Sequence, residues 1–491
     1  MATASRRRFL GLVGAAGLGV LAAACAAPAA PTATPAPAPK PAEKPAEAPK
    51  PAEKPTEAAK PAEKPTEAPK PAAAAPSTGG AKVTVRWQFR GSDADLKAAQ
   101  DYVTGTFGKD KPNIDLTIEP APDGRDEKLI AAMVGGNAPD VFESWTDNVT
   151  LFADRGQVLD VEPNVKRDFK DTDIKDFYAW QWHDLVLPSG IRFGVPKYVN
   201  VMITWVNKDV FDKAGEKVPD GNAWTHDDYA RIANKLTTKK GDQVDTWGLF
   251  YPVWSWDRFW YKLEAWGGEI VNPKDTTEAV FDQEKSLAAF EWSRKLIWDD
   301  KAMAQRLLLS PAGQGFNTQQ LFASGKFAMV EDGFYPFSMA RSVEKKTNWT
   351  YMHTPNGPSG KKRVLGTTDA FVQWKSSKVL DQGWEVMKFV SGPGYQENQV
   401  KSTGLLPIRF SVLDNWKKIC IEKFPELEAA NLDIGKQAME MGYPGNRILF
   451  KKDAEARKIM VPALEKVFWA GGTPVTYFKD VAKEVTAKMK E

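Results

Sequence analysis

Cysteine and histidine are nearly absent from this chain. Its 491 residues hold two cysteines and three histidines. Two cysteines cannot build the multi-bridge framework that staples small secreted domains. One of them, Cys25, closes the N-terminal apolar run, so no intrachain disulfide is expected beyond it. The other, Cys420 in Trp416-Lys417-Lys418-Ile419-Cys420-Ile421, reads as a buried helix residue. The histidines, His183, His226 and His353, are scattered, and neither His-Glu-x-x-His nor Gly-x-Ser-x-Gly occurs. His226 stands in Thr225-His226-Asp227-Asp228, a helix start with Asp228 in the capping-box position. Gly357-Pro358-Ser359-Gly360-Lys361-Lys362 lacks the spacing and the hydroxyl residue of a phosphate loop and reads as a hairpin turn. A secreted glycosidase or lyase would need paired carboxylates. Among 57 acidic side chains of the globular part such pairs are inevitable and carry no signal. No enzyme and no cofactor are expected.

Charge of one sign is also missing. The whole chain carries 66 basic and 63 acidic residues. The N-terminal signal takes three arginines, and the segment after it takes seven lysines and six glutamates. What remains is 56 basic and 57 acidic side chains. A near-neutral domain has no footprint for nucleic acid and no reason to lie flat on an anionic membrane. Residues 9–24 are uncharged but too short and too rich in small residues to span a bilayer, which needs about 20 strongly apolar residues.

That run has another use. Preceded by Ser5-Arg6-Arg7-Arg8-Phe9-Leu10, it fits the core of a signal peptide. The paired arginines resemble a twin-arginine export signal, with an ordinary secretion signal as the alternative. Leu21-Ala22-Ala23-Ala24-Cys25 resembles a bacterial lipobox, although Ala22 stands where leucine is usual. The resemblance implies lipidation at Cys25, each buried CH₂ adding about 0.8 kcal/mol of membrane affinity. In residues 41–70 the decapeptide Pro-Ala-Glu-Lys-Pro-Ala/Thr-Glu-Ala-Pro/Ala-Lys occurs three times in tandem. Nothing there can form a core, and proline favours extended polyproline II. About 50 residues of it reach on the order of 150 Å at full extension. Residues 1–25 are therefore expected to be a signal peptide and 26–80 a disordered tether.

The globular part, residues 81–491, is too long for one ordinary domain and suits two lobes. Val83-Thr84-Val85-Arg86-Trp87-Gln88-Phe89 alternates as a strand. Asp93 is placed to cap a helix carrying Leu96, Ala99, Tyr102 and Val103. Ile114, Leu116 and Ile118 mark a second strand. A short helix ends at Gly135-Gly136, and Pro139-Asp140-Val141-Phe142 enters a third strand. Alternating strands and helices predict a mostly parallel sheet, with ligand beyond the carboxyl ends of the strands. Trp292 and Trp298 fall on an amphipathic helix and read as core.

Several spaced motifs together resemble the family 1 extracellular solute-binding proteins, which include maltose-binding proteins. They are Gly136-Asn137-Ala138-Pro139-Asp140-Val141, Ala153-Asp154-Arg155-Gly156-Gln157-Val158-Leu159-Asp160 and Gly194-Val195-Pro196. Trp205-Val206-Asn207-Lys208-Asp209, Phe211-Asp212-Lys213-Ala214-Gly215, Trp224-Thr225 and Gly267-Gly268 follow. Phe322-Ala323-Ser324-Gly325-Lys326-Phe327-Ala328-Met329 and Thr403-Gly404-Leu405-Leu406-Pro407 complete the series. Their order covers nearly all of the globular part. The resemblance implies a two-lobed periplasmic-binding-protein-like α/β fold with several crossovers and a ligand cleft between the lobes. It places residues 81–197 and 369–410 in the first lobe and 198–368 and 411–491 in the second. It also implies a monomer that delivers a small solute to ABC transporter permease subunits at the outer face of the cytoplasmic membrane or in the periplasm.

Candidate contacts follow strand ends and crossovers. Arg90, Ser92 and Asp93 follow the first strand, and Ser144, Trp145 and Asp147 the third. Tyr198 and Asn200 stand at a crossover, as do Thr368 and Asp369. The resemblance adds Trp254, Trp256 and Asp257, Tyr335, and Tyr443 in a late loop. Flat aromatic rings suit the C–H faces of a sugar, and carboxylates, amides and arginine suit its hydroxyls. With 18 Trp and 11 Tyr, a sugar is the expected ligand. A polyamine held by aromatic rings and Asp93, Asp147, Asp257 and Asp369 is the rival, and Arg90 argues against it.

Overall fold

In the computed structural model the described residues are 82–491, apart from 123–124, 252, 254, 306–316, 344–346 and 442–447. The signal, Cys25 and the repeats lie outside them, as do Trp254 and Tyr443.

Strand β1 (Val83–Phe89) forms where β-branched and aromatic residues alternate, and it buries Val85, Trp87 and Phe89. It pairs in parallel with β2 (Ile114–Pro120) and β3 (Val141–Trp145). The helix Asp93–Gly105 returns the chain between β1 and β2. Its cap is Ser92, one residue before the Asp93 expected from sequence. Asp95 N donates to Ser92 Oγ at 3.3 Å, and Asp95 Oδ2 accepts from Ser92 N at 3.1 Å and from Ser92 Oγ at 2.7 Å. This reciprocal box satisfies donors that Asp93, already the first helical residue, does not reach.

The chain then enters β4 (Gly194–Asn207), a 14-residue strand. Its first half pairs with β11 (Gly366–Gln373) and its second half with β9 (Phe327–Gly333) and β10 (Trp349–Met352). With β5 (Thr238–Lys240) and β6 (Gln243–Phe250), the main sheet runs β2-β1-β3-β11-β4-β9-β6-β5, while β7 (Val271–Asn272) and β8 (Asp275–Ala279) pair apart from it. The expected mostly parallel sheet is in fact mixed. β11 is antiparallel to both β3 and β4, because the chain re-enters the first lobe from the second against the direction of β3.

Two lobes result, each with helices on both faces of its part of the sheet. Along β3 and β11, Val141 and Phe371 join one first-lobe core with Trp87 and Trp384, while Phe142 and Val372 join another with Phe152 and Phe193. This is the period of two of a strand buried on both faces. In the second lobe, Val201, Ile203 and Trp205 pack with Phe334, Tyr351 and Trp416, and Met202 and Val206 pack with Phe259, Phe290 and Phe478. Cys420 is buried in the helix Phe410–Lys423, and burial pushes its thiol up to about 12. Trp292 and Trp298 lie in the helix Glu284–Trp298, packed on the second-lobe core. Thr225 caps the helix His226–Leu236 with Asp228 completing the box. Gly357 N donates to Lys361 O at 3.3 Å and closes the hairpin turn.

Three segments connect the lobes: β4, the start of β11, and the stretch before the helix Phe410–Lys423. The first and third are tied together where Val199 N donates to Leu406 O at 3.1 Å. At the first two the ladder slips. Asp369 faces Tyr198 but Ala370 faces Pro196, which leaves Lys197 unpaired as a bulge. A bulge kinks the strand and re-aims its side chains.

Candidate ligand-binding site

A cavity of about 610 Å³ lies where these crossings meet the carboxyl ends of β1 and β3. The first lobe contributes Arg90, Trp145, Asn148 and Leu151. The crossings contribute Tyr198, Asn200 and residues 365–369. Ser255, Trp256, Asp257, Arg258 and Tyr335 form the second-lobe wall, and Ala454, Arg457, Lys458 and Val461 of the helix Asp453–Leu464 complete it. Leu449, just before that helix, packs into the first-lobe core beside Leu129 and Phe152, so the lobes meet across the cavity.

Arg90 is the centre of the charge pattern. Its guanidinium is ion-paired with Asp369 and donates to Tyr198 Oη at 3.3 Å. Burial disfavours its charge, but Asp369, then Tyr198 and Glu143, outweigh burial and raise its pKa. Burial first, and Asp369 next, holds the Tyr198 phenol well above its ordinary range. Arg90's backbone is clamped as well. Its N–H donates to Glu143 Oε2 at 2.7 Å, and its carbonyl accepts from Lys197 Nζ at 2.8 Å. Glu143 and Lys197 form a buried ion pair. Burial raises the Glu143 carboxyl and lowers the Lys197 ammonium, and each partner opposes the shift in the other.

The second-lobe wall is paired in the same way. Arg457 meets Asp257 through two contacts of 3.3 Å and is also held by Asp453. Arg258 meets Asp332 at 3.2 Å, which keeps its pKa raised despite burial. Tyr335 folds back over Gly333, where a Cβ would lie 2.3 Å from the Tyr335 ring, so only glycine permits this ring position. Burial and then Asp332 push its phenol up to about 12. Arg90 and Arg125 both lie over the Trp145 ring, at 4.6 and 4.5 Å from its centroid. Arg90 Nε and Thr368 Oγ1 are buried at this wall without a hydrogen-bond partner among the described residues. Asn200 is spoken for, since its Oδ1 accepts from Phe334 N at 2.7 Å. Among the described residues no group of three His, Cys, Asp or Glu side chains is placed to hold a metal ion.

The sequence expectations divide accordingly. Arg90, Trp145, Tyr198, Asn200, Asp257, Tyr335, Thr368 and Asp369 are brought together on the cavity wall. Ser92 and Asp93 are not: both are exposed at the helix start and line no part of the cavity. Ser144 is buried in β3 on the opposite side from its neighbours, with Oγ 3.4 Å from Trp145 O. Trp256 stands on the same cavity wall, but nearly all of its surface is turned into the core. It opens the helix Trp256–Trp266, is 2% exposed, and packs on Phe281, Phe290 and Phe478 at 4.8, 5.7 and 5.5 Å. Asp147 lies in the helix Thr146–Ala153, its side chain outside the description. Sequence reasoning missed Glu143, Lys197, Arg258, Arg457 and Lys458. The one local signal was a carboxylate inside the apolar strand Val141-Phe142-Glu143.

The model of bacterial extracellular solute-binding proteins matches residues 90–397. The chain belongs to this family. A structure of an ABC substrate-binding protein from Listeria monocytogenes in complex with cycloalternan superposes with TM-score 0.69 at 22% identity, covering 83% of this chain and 99% of that one. The diacetylchitobiose-binding protein of Streptomyces coelicolor is 25% identical over 359 residues, 70% of this chain and 77% of its own. The maltodextrin-binding protein of Bacillus subtilis is 22% identical over 303 residues, 61% and 65% of the two chains. The cavity of this solute-binding protein lies where its two lobes meet. The matched segment holds every cavity residue except those of the helix Asp453–Leu464, which lies beyond it.

Proposed function

We propose that this solute-binding protein captures a sugar or oligosaccharide and delivers it to the permease of an ABC importer. Cys25 anchors it by lipid on the outside of the cytoplasmic membrane, and residues 26–80 tether a monomeric receptor. The paired arginines Arg6 and Arg7 before Phe9-Leu10 favour the twin-arginine export route over the general one. The lobes rotate about the crossings near Tyr198, Asp369 and Phe410, and a ligand touching both lobes favours closure by its differential affinity for the closed state.

The observation that carries the reading is the cavity wall, where Trp145, Tyr198 and Tyr335 stand among Arg90, Asp257, Asp369 and Thr368. Rings suit sugar faces, and these polar groups suit hydroxyls. Relatives named for diacetylchitobiose and maltodextrin, and a similar fold seen in complex with cycloalternan, support the ligand class. The polyamine reading is disfavoured because the wall carboxylates already meet arginines: Asp369 with Arg90, and Asp257 with Arg457. Catalysis is not proposed.

A thermal-shift screen against malto- and chito-oligosaccharides, monosaccharides and spermidine, followed by calorimetry, tests this. A binder at 100 times its Kd adds about 2.7 kcal/mol of apparent stability. A sugar should do so with little salt dependence. Salt-sensitive stabilisation by spermidine alone would overturn the ligand class, and turnover of a glycan would overturn the pure-binder reading.

A further inference from the structure

A second cavity, of about 230 Å³, backs onto the first, and Arg90 and Tyr198 line both. Phe89, Ala99, Tyr395 and Leu405 give it apolar walls. Gln399, on the helix Pro393–Thr403, projects a polar end into these surroundings. It is 8% exposed, and its Oε1 has no hydrogen-bond partner among the described residues. Asp95 Oδ1 and Arg90 Nε, from two other residues of the wall, are in the same state. Buried polar groups are normally satisfied, so three orphans around one cavity point to an occupant.

Its chemistry follows from what is unpaired and what is not. Two orphans accept and one donates, and a hydroxyl does both. An organic cation would lie beside Arg90 and Lys197, and an anion would face Asp95. The flat rings of Phe89 and Tyr395 suit C–H surface. At about 30 Å³ per water-sized atom, the volume holds on the order of eight heavy atoms. We propose that this cavity is a second binding site, for a small neutral polyol of tetritol size, separate from the site between the lobes.

Calorimetric titration of the soluble chain with erythritol tests the assignment. Saturable binding is expected in the wild type. Gln399→Leu, which removes the acceptor at similar size, should weaken it at least about tenfold. Ala99→Phe should fill the space and abolish binding, with its melting temperature recorded to verify folding. Asp257→Asn, in the larger cavity, should leave erythritol affinity unchanged. Absence of saturable binding in the wild type overturns the proposal. So does binding that survives Gln399→Leu, or that is lost in Asp257→Asn, since erythritol would then occupy the larger cavity.

Discussion

Replacing Lys197 with methionine removes the cation whose side chain is paired with the Glu143 carboxylate. Glu143 is fully shielded in its side chain and Lys197 is 6% exposed there, so solvent cannot take over. Breaking such a pair costs about 3–5 kcal/mol. An independent bound comes from the escape route, protonation of Glu143. Protonating a carboxyl whose ordinary value is 4.5 costs about 1.4 kcal/mol for each pH unit above it, or about 3 kcal/mol at pH 7. The two figures agree, so Lys197→Met should lose about 3 kcal/mol at pH 7. The sign of the pH dependence follows. The folded variant holds a proton that its unfolded chain releases above 4.5, so the deficit against wild type should shrink as pH falls. Removing both charges, in Glu143→Gln with Lys197→Met, should recover most of the loss, because the amide still accepts from Arg90 N. Urea midpoints followed by tryptophan fluorescence at pH 7 and pH 5 measure all three, provided m stays constant. A Lys197→Met deficit that is small, or equal at both pH values, refutes the reasoning.

Trp256→Ala should cost about 3–5 kcal/mol of stability as a core truncation and barely change ligand affinity of the folded fraction. Tyr335→Ala should do the reverse, weakening sugar binding by about 2 kcal/mol, or about thirtyfold; calorimetry beside thermal melting decides, and equal effects would sink the distinction. The Glu264 carboxyl is pushed up to about 7, by burial first and then by Glu269. Its folded pKa exceeds its unfolded 4.5, so it lowers stability as pH rises from 4.5 to 7. Glu264→Gln should flatten that part of the curve, and an unchanged slope counts against it. Cys25→Ala should release the protein from the membrane fraction with ligand affinity intact; retention there would remove the anchor.

What the chain discloses locally and what it hides differ for physical reasons. β1 was legible to the residue because alternation over Val83–Phe89 is a local pattern. The helix after it was displaced by one position, since Ser92 and Asp93 are both good caps and only Asp95, three residues beyond Ser92, selects between them. The direction of β11 was not legible, because it depends on a crossing made after the second lobe is built. The spacing of Trp256 from Gly267-Gly268 located the right segment, yet spacing does not say which side of the helix Trp256–Trp266 faces the core.

The charged half of the site was hidden most completely, and the reason bears on how it works. Arg90 and Asp369 are 279 residues apart, and Asp257 and Arg457 are 200 apart. Neither pair has any sequence signature. Each exists only once the crossings have set the lobes. The Lys197 bulge is where these constraints converge. One unpaired residue turns Lys197 toward Glu143 beneath Arg90, while its neighbour Tyr198 lines the cavity. Arg90 is thus held from behind by backbone contacts and from the front by Asp369. Its guanidinium is oriented by the fold itself, so the ordering cost of a free arginine, up to about 2 kcal/mol, is met in folding.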